Sequence, residues 1–307
     1  MVFLMKIILI LFPILMTTSC SSHSDDELKI LIGGDVMLDR GIGRVIDNHG
    51  VSFLFNGIRE DLKSTDASII NLECPLTDTL IPQHKKYQFR ASPVFADSLL
   101  KNGVTHACLE NNHTHDQGEL GYKQTLESLS RAGIISVSSN PFSPTKIEKG
   151  DNRIALFNAN LLGNSQYVSY WQSQLSKAIE EHKNSNKEAK AVVILHWGDE
   201  YETIHSQKQE NIAKLLVEAG ADVIVGHHPH VVQDTMRLGN CPVYYSLGNL
   251  IFDHNKMARH KSSLLEISLK NGKLKTSLHE LRISNYRPMH KQTKFNSSIY
   301  RNTINNQ

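Results

Sequence analysis

Residues able to hold a metal ion recur at the ends of five apolar stretches of this chain. The clusters are Gly34-Asp35, Asn71-Leu72-Glu73, Asn111-Asn112-His113, His196-Trp197-Gly198-Asp199-Glu200 and Gly226-His227-His228-Pro229-His230. A single cluster of this kind reads as a turn or a cap, because Asn and Asp suit turns. Five of them in one topology are hard to explain as caps. In open α/β sheets, ligands bind beyond the carboxyl ends of the strands, so the clusters are expected to converge on one place. Carboxylates, imidazoles and an amide oxygen suit manganese, iron, zinc or magnesium, and no thiolate is required. The candidate ligands are Asp35, Glu73, Asn112, His196, His228 and His230. Such a set can hold one divalent ion, or two about 3.5–4 Å apart. A pair would bring the pKa of a shared water to roughly 7 and neutralise charge building on a phosphoryl or carbonyl oxygen.

The elements that must position these residues alternate in type. Residues 28–32, 67–72, 105–109, 134–137, 153–159, 191–195 and 222–225 read as strands, most of them ending at a cluster. Residues 53–62, 95–101, 121–132, 170–183 and 206–219 read as helices. The last has Ile212, Leu215, Leu216 and Ala219 at helical spacing, with Gly220 to end it. After that come strand-like runs at 231–236, 242–246, 264–269 and 274–281 with no helices between them, hence antiparallel. The fold class is α/β: strand–helix alternation implies a parallel, layered sheet, and the late strands a second sheet or an antiparallel extension. No internal repeat is evident.

The blocks GGDVMLDRGIG from Gly33, NLECPLT from Asn71, KKYQFRASP from Lys85, NNHTHDQG from Asn111, ILHWGDEY from Ile194, GADVIVGHHPHVVQ from Gly220 and YSLGNLIFD from Tyr245 resemble the CapA-like capsule synthesis (poly-γ-glutamate capsule) proteins. These belong to the calcineurin-like metallophosphatase superfamily, and the resemblance covers residues 28–269. It implies a layered αββα sandwich in one large domain. It also implies roles by position. Asp35 is a ligand of the first metal, Glu73 stands for the bridging aspartate, and Asn112 and His196 are ligands of the second metal. His228 and His230 serve one metal each. His113 protonates the leaving group or steadies the transition state. The superfamily has a histidine two residues after the first aspartate, where this chain has Met37. A thioether suits a hard metal poorly, so Asp39 or a water is needed there, or a single metal is held. The activity implied is metal-dependent hydrolysis of a phosphoester or a γ-glutamyl amide, in making, releasing or trimming a capsule-type polymer. A non-catalytic, polymer-binding accessory of a membrane export complex is the alternative.

Further residues have weaker assignments. Asp116 is expected to orient His113. Glu200 either does the same for His196 or faces the substrate. Arg90 pairs with an anionic substrate group or makes a structural salt bridge. His227 is read as a non-ligand, and His115, His205 and His254 as surface residues. Cys74, Cys108 and Cys241 form no CxxC pair and read as small buried hydrophobes.

The N-terminus carries an address. Lys6 precedes an apolar run that ends in Thr17, Thr18, Ser19 and Cys20, too short to span a membrane. The pattern resembles a bacterial lipoprotein signal over residues 1–19, with Cys20 lipidated and residues 20–27 as a tether. The domain then covers 28–285, and 286–307 reads as a polar tail. The expected location is the cell envelope, anchored by lipid outside the cytoplasm. A net charge of +2 argues against a nucleic-acid partner.

Overall fold

The computed structural model describes residues 26–83, 85–253 and 260–291. Cys20, the signal segment and His254 lie outside them.

Strand β1 (Leu28–Val36) leads into helices α1 (Arg40–His49), α2 (Val51–Leu54) and α3 (Arg59–Lys63), then strand β2 (Ala67–Leu72). Helix α4 (Phe95–Lys101), β3 (His106–Cys108), α5 (Gly118–Ala132) and β4 (Ile135–Ser136) complete the first half. The second half runs β5 (Thr145–Lys149), β6 (Asn152–Asn160), α6 (Ser165–Ser185), β7 (Lys190–His196), α7 (Gln207–Glu218) and β8 (Val223–His227). It closes with β9 (Thr235–Leu238), β10 (Cys241–Tyr244), β11 (Asn249–Ile251), β12 (Lys261–Lys270), β13 (Lys273–Ser284) and β14 (Arg287–His290).

These strands build two sheets. One has the order β14-β13-β12-β1-β2-β3-β4, with β11 also paired to β1; the other has the order β5-β6-β7-β8-β10-β9. Strands β1 to β4 are mutually parallel, as are β6, β7, β8 and β10. The late strands β12, β13 and β14 add antiparallel partners to the first sheet. Alternation along each strand sorts side chains into three apolar layers. Ile30, Ile69, Ile194 and Val225 pack between the sheets. Leu31, Ile70 and Leu72 pack outward among residues of α1 to α5, and Val193, Leu195 and Ile224 outward among residues of α6 and α7. The expected αββα sandwich is therefore the arrangement found.

Three segments differ from expectation. The helix expected over 53–62 is split into α2 and α3. Gly57 lies in the break, where an added Cβ would come within 2.3 Å of the Pro288 carbonyl, so the chain must bend to let β14 pass. Residues 231–234 make one isolated bridge, Val232 to Leu247, rather than a ladder. Their side chains bond elsewhere: Gln233 reaches the Glu202 carbonyl at 3.0 Å and Asp234 accepts from His205. Finally, β14 falls within the expected polar tail and pairs with β13.

Candidate metal centre

The alternation that fills the inter-sheet core also builds the centre. Val192 and Ile194 face the opposite sheet, so His196 at the end of β7 does too; Val223 and Val225 bring His227 along in the same way. Asn71 follows Ile69, and its Nδ2 donates to Asp35 Oδ1 at 2.8 Å and lies 3.3 Å from His196 Nδ1. Asn71 thus ties the two sheets together across the end of the core. A second amide, Asn111, donates to Asn71 Oδ1 at 3.1 Å and to the Leu72 carbonyl at 3.0 Å. It also accepts from the His113 backbone at 3.0 Å.

The glycines of this edge are there for clearance. A Cβ on Gly226 would stand 1.9 Å from the Tyr245 carbonyl oxygen, and one on Gly34 1.9 Å from that of Gly248. The His-Pro-His turn is itself constrained, with φ of 96° at His228 and 58° at His230. Holding non-glycine residues in that region costs on the order of 1–3 kcal/mol each.

At the middle lies Glu73, fully buried, with neither carboxylate oxygen hydrogen-bonded. Its Oε1 is 3.6 Å from His230 Nε2, 3.9 Å from His113 Nε2 and 4.0 Å from His196 Nε2. Two triads of donors, Glu73–His196–His228 and Asp35–Glu73–His230, each keep their ligand atoms within 4.8 Å of one another. Glu73 belongs to both. Asn112 Oδ1 joins the first, 2.8 Å from His196 Nε2. Buried carboxylates are normally paired or bound to metal. An orphaned Glu73, with a buried unpartnered Nδ1 on His228 beside it, is what a cation would satisfy. The donors present fit a divalent ion, and all six candidate ligands named from the sequence lie together.

The charge states divide the donors: His196 and His228 stand in the ligating form, whereas Glu73 and His230 are shifted toward their protonated forms, which a bound cation would displace. Burial, reinforced by the charge of Asp35, raises the Glu73 carboxyl well above its usual range, although His230 opposes this. Burial would also raise Asp35, but the close polar contacts and charge of His227 and His230 outweigh it and hold that carboxyl well below normal. Burial lowers His196 well below the ordinary imidazole value and His228 to about 4. Both are therefore neutral, which is the ligating form. His230 moves the other way, to about 9: burial disfavours its charge, but Glu73 and Asp35 prevail. Asn249 fixes that ring, its Oδ1 2.9 Å from His230 Nδ1.

His113 and Asp116 form a second group at the rim. Asp116 Oδ2 lies 2.7 Å from His113 Nδ1 and accepts from the Phe89 backbone at 2.7 Å, while Lys85 binds its other oxygen. The Phe89 ring stacks on His113 with centroids 4.1 Å apart. The pair therefore presents Nε2 of His113 toward Glu73, as expected of an oriented imidazole.

Other expectations need correction. Met37 packs in the outer core among α1 to α5, away from the centre, so the first site has no side chain at that position. Asp39 does not compensate for it, since Oδ1 caps α1 at 2.7 Å and Oδ2 accepts from the Arg90 backbone at 2.8 Å. The expectation for Arg90 stays open: its side chain bonds the Asp78 carbonyl at 3.3 Å and, among the described residues, is not one that lines the two cavities at the centre. Arg40 is; the sequence reading missed it, though it lies within the first block. His205 is not a surface residue: its ring stacks on Tyr245 at 3.8 Å and its Nδ1 meets Asp234 at 2.9 Å. His115 is exposed, as expected. The three cysteines are free and buried.

Among the described residues, two cavities open onto the centre. One, of about 250 Å³, is lined by Arg40, Tyr87, Phe89, His113, Glu200, Tyr201, His230 and Phe252. The other, of about 410 Å³, lies against His228, Gly198, Asp199, Glu200 and Lys208, with Leu161, Leu162 and Trp197 as its apolar wall.

Layered sheets with a carboxylate–imidazole cluster at their shared carboxyl edge define an α/β sandwich with a candidate metal site. The chain belongs to the bacterial capsule synthesis protein family PGA_cap, whose profile matches residues 29–254. It is 29% identical to the capsule biosynthesis protein CapA of Bacillus anthracis, over 81% of this chain and 66% of that one. It is 26% identical to the PGA biosynthesis protein CapA of Bacillus subtilis, over 83% of this chain and 71% of that one. The chain thus spans about two thirds of the length of these relatives. A probable polyglutamine synthesis accessory protein of Mycobacterium tuberculosis is 22% identical over 80% of this chain and 79% of its own. Among solved structures, TT1561 of Thermus thermophilus superposes with a TM-score of 0.45 at 13% identity, covering 81% of this chain and 98% of that one. No helix among the described residues is long and apolar enough to cross a membrane.

Proposed function

We propose that this protein is a metal-dependent hydrolase of the cell envelope, acting in the synthesis, release or trimming of a capsule-type polymer such as poly-γ-glutamate. The observation that carries the proposal is Glu73, a buried carboxylate with both oxygens unpartnered, shared by two triads of metal-capable donors. The relatives named for capsule and poly-γ-glutamate biosynthesis support the polymer. A lipid anchor on Cys20 would hold the domain outside the cytoplasm.

Asp35, Glu73, Asn112, His196, His228 and His230 would hold one or two divalent ions, from manganese, iron, zinc or magnesium. Such ions supply an acidified water and neutralise charge on the oxygen of the bond being cleaved. The residues of the chain do the rest. Asp116 accepts from Nδ1 of His113, so Nε2 is the atom that carries a proton to the leaving group. Lys85 and the Phe89 backbone hold Asp116 in place. Burial lowers the His113 pKa below the ordinary value, so its protonated form gives up the proton readily.

The name of the mycobacterial relative favours a second reading, an accessory that binds polymer without cleaving it, as part of a membrane export complex. Turnover separates the two. Metal-loaded protein is assayed on phosphoester and γ-glutamyl substrates beside His113→Ala protein of equal metal content. Hydrolysis lost in the variant supports the enzyme. Polymer binding without turnover in either protein supports the accessory.

A further inference from the structure

His228 and His230 stand two residues apart on one turn, yet His230 lines the smaller cavity and His228 the larger. Glu200, on the loop after β7, lines both. The centre is therefore not the floor of one blind pocket. It is a crossing point with room on either side.

The polar groups differ from those of a phosphate site. On the His230 side stands Arg40, whose Nε and Nη2 bond Asp253 at 3.1 and 2.7 Å, leaving Nη1 outside that pair. Its guanidinium carbon lies 5.4 Å from the centroids of both Tyr87 and Phe89. On the His228 side, Lys208 at the start of α7 is exposed beside Asp199 and Glu200. Each side thus offers one cation for an anion, together with carboxylates that accept N–H groups. A phosphodiester chain has no amide N–H to offer Asp199 and Glu200. A chain of amide-linked carboxylates has both kinds of group, an N–H donor and an anion in every unit.

We propose that the centre takes the interior of an amide-linked polycarboxylate chain, which crosses it with Arg40 engaging carboxylates on one side and Lys208 on the other. This rests on the polymer reading given above. It adds that the chain is gripped along its length rather than at an end, so any cleavage falls within the chain. Glu200, reaching both cavities, accepts an amide N–H near the bond that faces the metal donors.

The test is binding of γ-linked glutamate oligomers of increasing length to the full-length, metal-loaded protein by titration calorimetry, beside glycerol-phosphate oligomers of matched charge. Affinity is expected to rise with length until both cavities are filled and then level off, with phosphate oligomers binding more weakly at every length. Lys208→Ala, an exposed substitution with little bearing on folding, is expected to weaken long oligomers about two- to fivefold, as an exposed ion pair would. It should leave the shortest unchanged. Affinity independent of length, or equal loss for short and long oligomers in Lys208→Ala, overturns the crossing chain. Preference for phosphate oligomers overturns the amide-linked class. A metal-loaded protein that binds no oligomer of either kind overturns the polymer reading itself.

Discussion

Nδ1 of His227 lies 3.3 Å from Oδ1 of Asp35, the same oxygen that accepts from Asn71 at 2.8 Å. The other oxygen, Oδ2, faces His230 Nδ1 at 3.4 Å and the His228 backbone N–H at 3.4 Å. Asn71 thus holds one oxygen of Asp35 from behind, with His227 close beside it but outside hydrogen-bond geometry, while the other oxygen is turned toward the centre. His227→Leu removes the imidazole that stands beside that oxygen. Loss of such an outer partner typically costs 10–100-fold in metal affinity. A competition titration against a fluorescent chelator measures it, and His227→Gln, which keeps a donor, should recover part of the loss. Unchanged affinity in the Leu variant would show that Asn71 alone suffices.

Glu73→Gln separates stability from metal binding. Without metal, the substitution removes a buried carboxylate that has no partner, and melting is expected to stay level or rise. With metal, the wild type gains about 2.7 kcal/mol at a hundredfold excess over Kd, and the variant should lose most of that gain. Thermal melts with and without manganese or zinc read both effects. A variant stabilised by metal as strongly as the wild type would remove Glu73 from the centre.

Two groups away from the metal donors' inner positions give pH effects of opposite sign. Burial lowers His106 to about 4. The unfolded chain then binds more protons between about 4 and 6.5, so stability falls as pH drops through that window. The full contribution, on the order of 3 kcal/mol, is present above pH 6.5. Burial raises Glu110 to about 7, so the folded state binds more protons between about 4.5 and 7, and its contribution is lost as pH rises. Chemical denaturation of the wild type against His106→Gln and Glu110→Gln across pH 4–8 isolates each slope. Parallel curves for wild type and variant would contradict the corresponding assignment.

Gly226→Ala tests the tight seam beneath the centre. The new methyl would meet the Tyr245 carbonyl at 1.9 Å and Trp197 Nε1 at 2.3 Å. Overpacking of this kind costs roughly 1–3 kcal/mol or more, and here the backbone that must move carries His227 and His228. A denaturation midpoint well below that of the wild type is expected, with metal affinity reduced even under conditions where the variant is folded. Wild-type stability would mean that the seam is looser than these distances indicate.

The layers and the main ligands were legible because the information is local. Runs such as Ala191–Leu195 end abruptly in a histidine, and the carboxyl ends of parallel strands share an edge. What stayed hidden depends on side-chain direction across sheets. Met37 and Asp35 are two residues apart, but the register shift in β1 between Asp35 and Val36 and the turn into α1 send Met37 into the helical layer. His227 looked like a spare beside the His-Pro-His pair; only the alternation carried through Val223 and Val225 shows that it faces Asp35. Arg40 could not be preferred over Arg90 from sequence, because the choice rests on Asp253, more than two hundred positions away. A visible signal for Asn71 and Asn111 did exist, since each sits in a block after an apolar run, two residues before or next to a candidate ligand, whereas Asn249 comes beside Asp35 only through the pairing of β11 with β1.

Metal uptake by the purified protein bears most directly on the centre. Protein stripped by a chelator and dialysed is titrated with manganese and with zinc, and bound ions per chain are counted by elemental analysis, beside Glu73→Gln. At least one divalent ion per wild-type chain, with a clear loss in the variant, is the expected result. A folded wild-type protein that arrives without metal and takes up neither ion would contradict the assignment of Asp35, Glu73, His196, His228 and His230 to one centre.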